Sequence, residues 1–191
     1  MNFLKLVSAF CLLLLATAHA KDAIATDTKL SEQLISSWMK SQDALEDWGK
    51  KHQAQLEAKT KDETEVEDPS KMTPESMISP LKAAGLYSSA NQLVQSQGFS
   101  SIDEWAAITL RITKAAAAIE FEANPEMMDT SRLEALRNSS DISPEHKQVL
   151  SNAIEKNQAM VKQILSSAST ADKEAIKPFL NDILKMMEEP Y

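Results

Sequence analysis

Three times in this chain a capping side chain, a proline and a glutamate stand in a row: Thr73-Pro74-Glu75, Asn124-Pro125-Glu126 and Ser143-Pro144-Glu145. The cap accepts an orphan backbone N–H, the proline has none to lose, and the acid faces the positive end of the helix dipole. Ser79-Pro80 reads as the same start without the acid. A chain punctuated this way is built from helices. Its composition agrees: there are only three glycines, Gly49, Gly85 and Gly98, valine is scarce, and no stretch alternates apolar and polar residues over five or more positions. The expected fold is all-α.

The organisation follows from the apolar spacing. Residues 1–20 read as a signal peptide: a start with one lysine, the apolar run Leu6 to Ala16, and Ala18-His19-Ala20 at a cleavage position. Residues 21–60 form an N-terminal helical arm. Its helix is expected from about Lys29 to about Lys59, with Leu30, Leu34, Trp38, Leu45, Trp48, His52 and Leu56 on one narrow stripe. Residues 61–72 contain Asp62 to Asp68, rich in acids, then Pro69, and read as an acidic linker. Residues 73–187 are expected to form a compact bundle of about five helices, and 188–191 a tail.

Within that bundle Gly98-Phe99-Ser100-Ser101-Ile102-Asp103-Glu104-Trp105 looks like a helix–turn–helix corner. Gly98 takes the left-handed conformation that ends one helix, and Ser101 and Glu104 form a capping box that starts the next. Phe99 tucks under Trp105. The helix that follows, to about Glu122, carries Ile102, Trp105, Ala106, Thr109, Ile112, Ala116 and Ile119 on one face. Leu110, Ala117 and Phe121 lie on a second, so this helix should be central. Its only bases, Arg111 and Lys114, mark the side that reaches solvent or an acid. A helix from Pro125 to about Arg137, another from Pro144 to about Ala168, and a last one bent or restarted at Pro178 complete the bundle.

Chemistry is constrained by what is missing. The only cysteine, Cys11, leaves with the leader, and the mature chain keeps His52 and His146 alone. Neither histidine has a serine in a glycine turn beside it, and three glycines leave no phosphate loop or dinucleotide fingerprint. The expectation is a non-enzyme with no catalytic residues, no cofactor and no metal. The methionine pairs Met127-Met128 and Met186-Met187 point about 100° apart along a helix, which suits core filling rather than one thioether site. The net charge of −8 argues against nucleic acid and anionic membrane surfaces, and favours solubility or a basic partner.

Export without disulfides suits a bacterial periplasm, with passage beyond the outer membrane as the alternative. The sequon Asn138-Ser139-Ser140 points weakly towards a glycosylating compartment instead. Aromatic anchors dominate protein interfaces, so Trp38, Trp48 and His52 are the expected partner-binding residues if the first helix is a free arm. They are packing anchors if it docks. A narrow stripe also allows two copies to pair through this helix.

The stretch from Leu86 to Ala115, with Gly98-Phe99, Ser101, Glu104-Trp105-Ala106 and Arg111-Ile112, resembles a segment of small, all-helical periplasmic proteins of proteobacteria, a resemblance that brings no activity with it. Ile142-Ser143-Pro144-Glu145-His146-Lys147 is similar to the helix starts of periplasmic stress chaperones of the Spy and CpxP kind, with His146 where those carry glutamine. The functional expectation is a binding, adaptor or inhibitor protein acting on another envelope protein. A holding chaperone is the alternative, and a metal-responsive protein a more distant one.

Overall fold

The computed structural model describes residues 29–60 and 72–188, and among them every regular element is a helix. In chain order these are α1 (Glu32–Thr60), α2 (Pro74–Ala83), α3 (Tyr87–Ser96), α4 (Ile102–Ala123), a 3₁₀ turn (Pro125–Met128), α5 (Ser131–Asn138), α6 (Pro144–Ser167), α7 (Thr170–Ile176), a second 3₁₀ turn (Lys177–Phe179) and α8 (Leu180–Glu188). The leader, the acidic segment 61–71 and residues 189–191 lie outside the described residues. Among those described, no helix is long and apolar enough to cross a membrane.

α4 is the hub. It contacts α1, α2, α3, α6, α7 and α8, and buries Ile102, Ala106, Ile108, Thr109, Leu110, Ile112, Ala115, Ala116, Ala118 and Phe121. That is more of its circumference than the two expected faces cover. The run Ala115 to Ala118 explains why: with little side chain in the way, neighbouring helices can approach on several sides. Arg111 finds its acid. Its Nε and Nη2 donate to Asp172 Oδ2 and Oδ1 at 3.1 and 2.6 Å, a forked pair that ties α7 to α4.

Both turns that bracket α3 are built on glycine. Gly85 has φ 71° and Gly98 φ 99°, values that an L side chain reaches only with strain. At the first, the Gly85 N–H donates to Lys82 O and the Leu86 N–H to Leu81 O. At the second, Gly98 donates to Gln95 O and Phe99 to Val94 O. These are two copies of one C-terminal cap, the Schellman arrangement, in which a buried apolar residue follows the glycine. Leu86 and Phe99 fill that role, and both belong to the core.

The corner at Gly98 opens α4 as expected at Ser101, whose hydroxyl accepts from the Glu104 N–H at 3.1 Å. The reciprocal half of the box differs. Glu104 Oε2 accepts from the backbone N–H and the hydroxyl of Ser100, each at 2.6 Å, while the Ile102 N–H donates to Asn91 Oδ1 at 2.8 Å. The carboxylate thus closes the loop one residue earlier and ties it down twice. Trp105 is half-buried, and its indole N–H reaches Ser41 on α1.

Three expected boundaries change. Ser79-Pro80 starts no helix, because Pro80 lies buried inside α2. That helix is already nucleated by Thr73 and Ser76, whose side chains cap each other's backbone N–H, and Met77, Ile78 and Leu81 carry its buried face past the proline. The helix expected from Pro125 to Arg137 is split in two. Asp129 turns the chain out of the 3₁₀ turn and takes the Ser131 N–H at 2.8 Å, so α5 begins there. Asn124 consequently caps nothing forward, and its Nδ2 faces back to Glu120 O. The C-terminal part is therefore more finely divided than a five-helix bundle. Gly49, by contrast, leaves α1 uninterrupted.

Candidate functional site

The first helix is docked, and this settles where its aromatic residues go. Trp38 is 2 % exposed and belongs to the core with Leu30 and Ile35. As a recognition contact, the Trp38 of the expected stripe is corrected by its burial: no partner can reach it while α1 stays in place. Trp48 and His52 are half-buried, with ring centroids 4.7 Å apart. The Trp48 indole N–H donates to Ser89 on α3 at 2.9 Å. Gln55 Nε2 reaches the Ala84 carbonyl at 2.7 Å, two turns of helix further on from Trp48. The tryptophans of α1 serve as anchors.

Between α1 and α4 lies a polar arrangement that the apolar spacing did not reveal. The Trp38 indole N–H donates to Thr109 Oγ1 at 2.9 Å, and that hydroxyl donates to the Trp105 carbonyl at 2.8 Å. The Trp105 indole N–H donates to Ser41 Oγ at 2.8 Å, and that hydroxyl donates to the Trp38 carbonyl at 2.6 Å. Each helix thus offers a tryptophan and, three or four residues later, a hydroxyl that receives the other's indole. Ser41 and Thr109 are fully buried, and each uses both its donor and its acceptor capacity. The signal available in the sequence was only a Trp followed by a hydroxyl at helical spacing, which many solvent-facing helices share.

The surface presents a different picture at α5 and α6. From residue 131 to residue 153 no side chain is buried, although most of the segment is helical. Burial returns only at Ile154 and Val161, where α6 meets α4. The two large apolar side chains that stand exposed among the described residues are both in this segment: Leu136 at 45 % and Val149 at 64 %. Between the end of α5 and the start of α6 opens a cleft of about 470 Å³, lined by Arg137, Asn138, Pro144, Lys147, Gln148 and Ser151. Pro144, Lys147, Gln148 and Ser151 follow each other at three and four residues, so one face of α6 supplies them.

Local hydrogen bonds hold the hairpin tip in shape. Ser143 caps α6, its hydroxyl lying 3.0 Å from His146 Nδ1. Glu145, in the first turn, is held below the usual carboxylate range by its own backbone N–H and by the Ser143 hydroxyl. Asp129 is held low by the backbone N–H and then the hydroxyl of Ser131. Of the site residues expected from the sequence, none lies in this cleft. A second shallow cleft, about 400 Å³, runs between Met39, Lys40 and Asp43 of α1 and Asp182, Lys185 and Met186 of α8. Among the described residues, no three His, Cys, Asp or Glu side chains gather as metal ligands.

Comparison of the chain with family models, with curated proteins and with solved structures finds no match.

Proposed function

We propose that this is an exported, non-catalytic binding protein of the cell envelope, an adaptor or inhibitor that engages another envelope protein through the tip of the α5–α6 hairpin. One observation carries the reading. Residues 131–153 hold helical structure without a single buried side chain, and they display Leu136 and Val149 to solvent. Exposed apolar side chains on a surface that contributes nothing to the core are what a partner would cover. The Trp38/Trp48 stripe loses the role to this hairpin because α1 is docked.

The test is site-specific photo-crosslinking in intact cells, with the reactive group at position 149 and, as a control, at position 57 on the far end of α1. One dominant partner captured from 149 and not from 57, and lost in the Leu136→Ser/Val149→Ser variant, is the expected result. A broad spread of unrelated envelope proteins would replace the adaptor by a holding chaperone. Equal capture from both positions would overturn the hairpin as the contact surface.

A further inference from the structure

The cleft at the hairpin tip has an unusual charge arrangement. Arg137 and Lys147 are both half-buried and both line it, yet neither has a carboxylate within ion-pair distance among the described residues. Only Asn138 Oδ1 approaches Arg137, at 3.4 Å from its Nε. The acids nearest in sequence are engaged in other ways: Glu134 accepts from the Thr130 hydroxyl, Asp141 from the Ser140 hydroxyl, and Glu145 from Ser143. No acid lines the cleft, and the remaining polar groups are the amides of Asn138 and Gln148 and the Ser151 hydroxyl.

Helix stability does not account for both cations. Arg137 stands in the last turn of α5, where a positive charge is favourable. Lys147 stands near the start of α6, where the dipole is positive and a cation is disfavoured. Two cations sharing one open cleft also repel each other, and an anion between them would relieve both effects. Arg137 offers a planar fork suited to a carboxylate, Lys147 a point charge, and the amides further N–H donors. The chain as a whole carries −8, so an acidic ligand is repelled from most of the surface and drawn to this cationic exception.

We infer that the cleft is an anion-recognition site that takes a carboxylate-bearing segment of the partner protein, with the carboxylate between Arg137 and Lys147. This rests on the hairpin being the recognition surface, and it names the chemistry recognised there: a carboxylate on an acidic segment.

The probe is a capped hexapeptide of glutamate and leucine, titrated into the exported, 15N-labelled protein at constant ionic strength, with the glutamine–leucine counterpart as control. Saturable shifts concentrated at Asn138, Lys147, Gln148 and Ser151 are expected with the glutamate peptide alone. Arg137→Gln and Lys147→Gln should each weaken binding about tenfold, with Arg137→Lys between Arg137→Gln and the unaltered protein. Unchanged far-UV circular dichroism shows that the variants remain folded. Equal binding of the glutamine peptide, or shifts spread over exposed lysines such as Lys40 and Lys51, would overturn the proposal. So would inorganic phosphate binding more tightly than the peptide at the same residues, which would make this a phosphate site. If the peptide fails while position 149 still captures one partner, carboxylate recognition is wrong and the adaptor reading survives. If the peptide binds but the Leu136/Val149 variant captures normally, the hairpin as partner surface is wrong.

Discussion

α1 and the α5–α6 hairpin are both polar helical segments packed on the same central helix, and they are held in opposite ways. α1 comes from far away in sequence and is fixed by tertiary contacts: Ile35 and Trp38 in the core with Leu30 just before the helix, and the Trp38–Thr109 and Trp105–Ser41 bonds to α4. The hairpin is held mainly by what is near in sequence: the Asp129–Ser131 bond, the Ser143 cap, the close neighbourhood of α5 and α6, and two buried residues on α6. Helical structure by itself therefore says little about how much a segment contributes to stability. A helix of ordinary propensity is held by its packing, and where packing is thin the surface is available for something else.

Truncating a large side chain on each side should give the largest difference. Trp38→Ala removes a buried indole and leaves Thr109 without its donor, and should cost about 3–5 kcal/mol by the usual cavity penalty for a core aromatic. Leu136→Ala on the hairpin should stay within about 0.5 kcal/mol, as exposed substitutions do. Urea unfolding of both variants measures the difference. Equal losses would mean that the hairpin is as much a part of the core as α1.

A smaller effect resolves the α1–α4 contact itself. Ser41→Ala leaves the Trp105 indole N–H without a partner in a half-buried position, at a cost of about 1–2 kcal/mol. Thr109→Val does the same to Trp38 while nearly conserving volume. Because each hydroxyl also bonds the backbone beside the other tryptophan, the two changes touch one closed loop. A double-mutant cycle should show coupling above about 0.5 kcal/mol. Strict additivity would reduce the loop to two independent bonds.

The contrast also separates what the sequence made legible from what it did not. Helix starts at Thr73, Ser101 and Ser143 could be read because caps are local, and Gly98 because a left-handed residue after a helix is a local need too. Local signals misled at Ser79-Pro80 and Asn124-Pro125, where neighbouring residues decided: the Thr73–Ser76 box had already started α2, and Asp129 diverted the chain before α5. Whether α1 docks could not be read, since a Trp stripe serves a core and a partner equally well. The cleft was invisible for a related reason. Arg137 and Lys147 belong to different helices, and their lack of an acid partner exists only once the chain is folded.

Two glycines offer a finer test, with opposite signs. Gly98→Ala places a side chain at φ 99° and should destabilise by about 1 kcal/mol. Gly49 lies inside α1 with nothing within 4 Å of an added Cβ, so Gly49→Ala should stabilise by about 0.5–1 kcal/mol. Thermal melting separates them. A loss at position 49 would show that α1 bends or opens there.

The smallest expected effects lie in the response to pH, and they divide the molecule along the same line. On the hairpin side, Asp129 and Glu145 have folded pKa values below their ordinary ones. Their contribution is present above the ordinary carboxylate range, about pH 4, and is lost as the pH falls through the folded values. On the core side, the Tyr87 hydroxyl donates to Asp103 and its pKa is pushed up to about 12, first by that hydrogen bond and then by burial. A raised pKa has the opposite consequence: the Tyr87 contribution is complete below the ordinary phenol value, about pH 10, and is lost as the pH rises through the folded one. Acid should therefore speed amide exchange first around residues 129–153, and alkali first where α3 meets α4. Asp129→Asn should remove part of the acid response, and Tyr87→Phe the alkaline one that depends on this phenol. If acid instead loosened α1 and the hairpin together, the two regions would form one cooperative unit, and the exposed tip would be only the outer edge of the core.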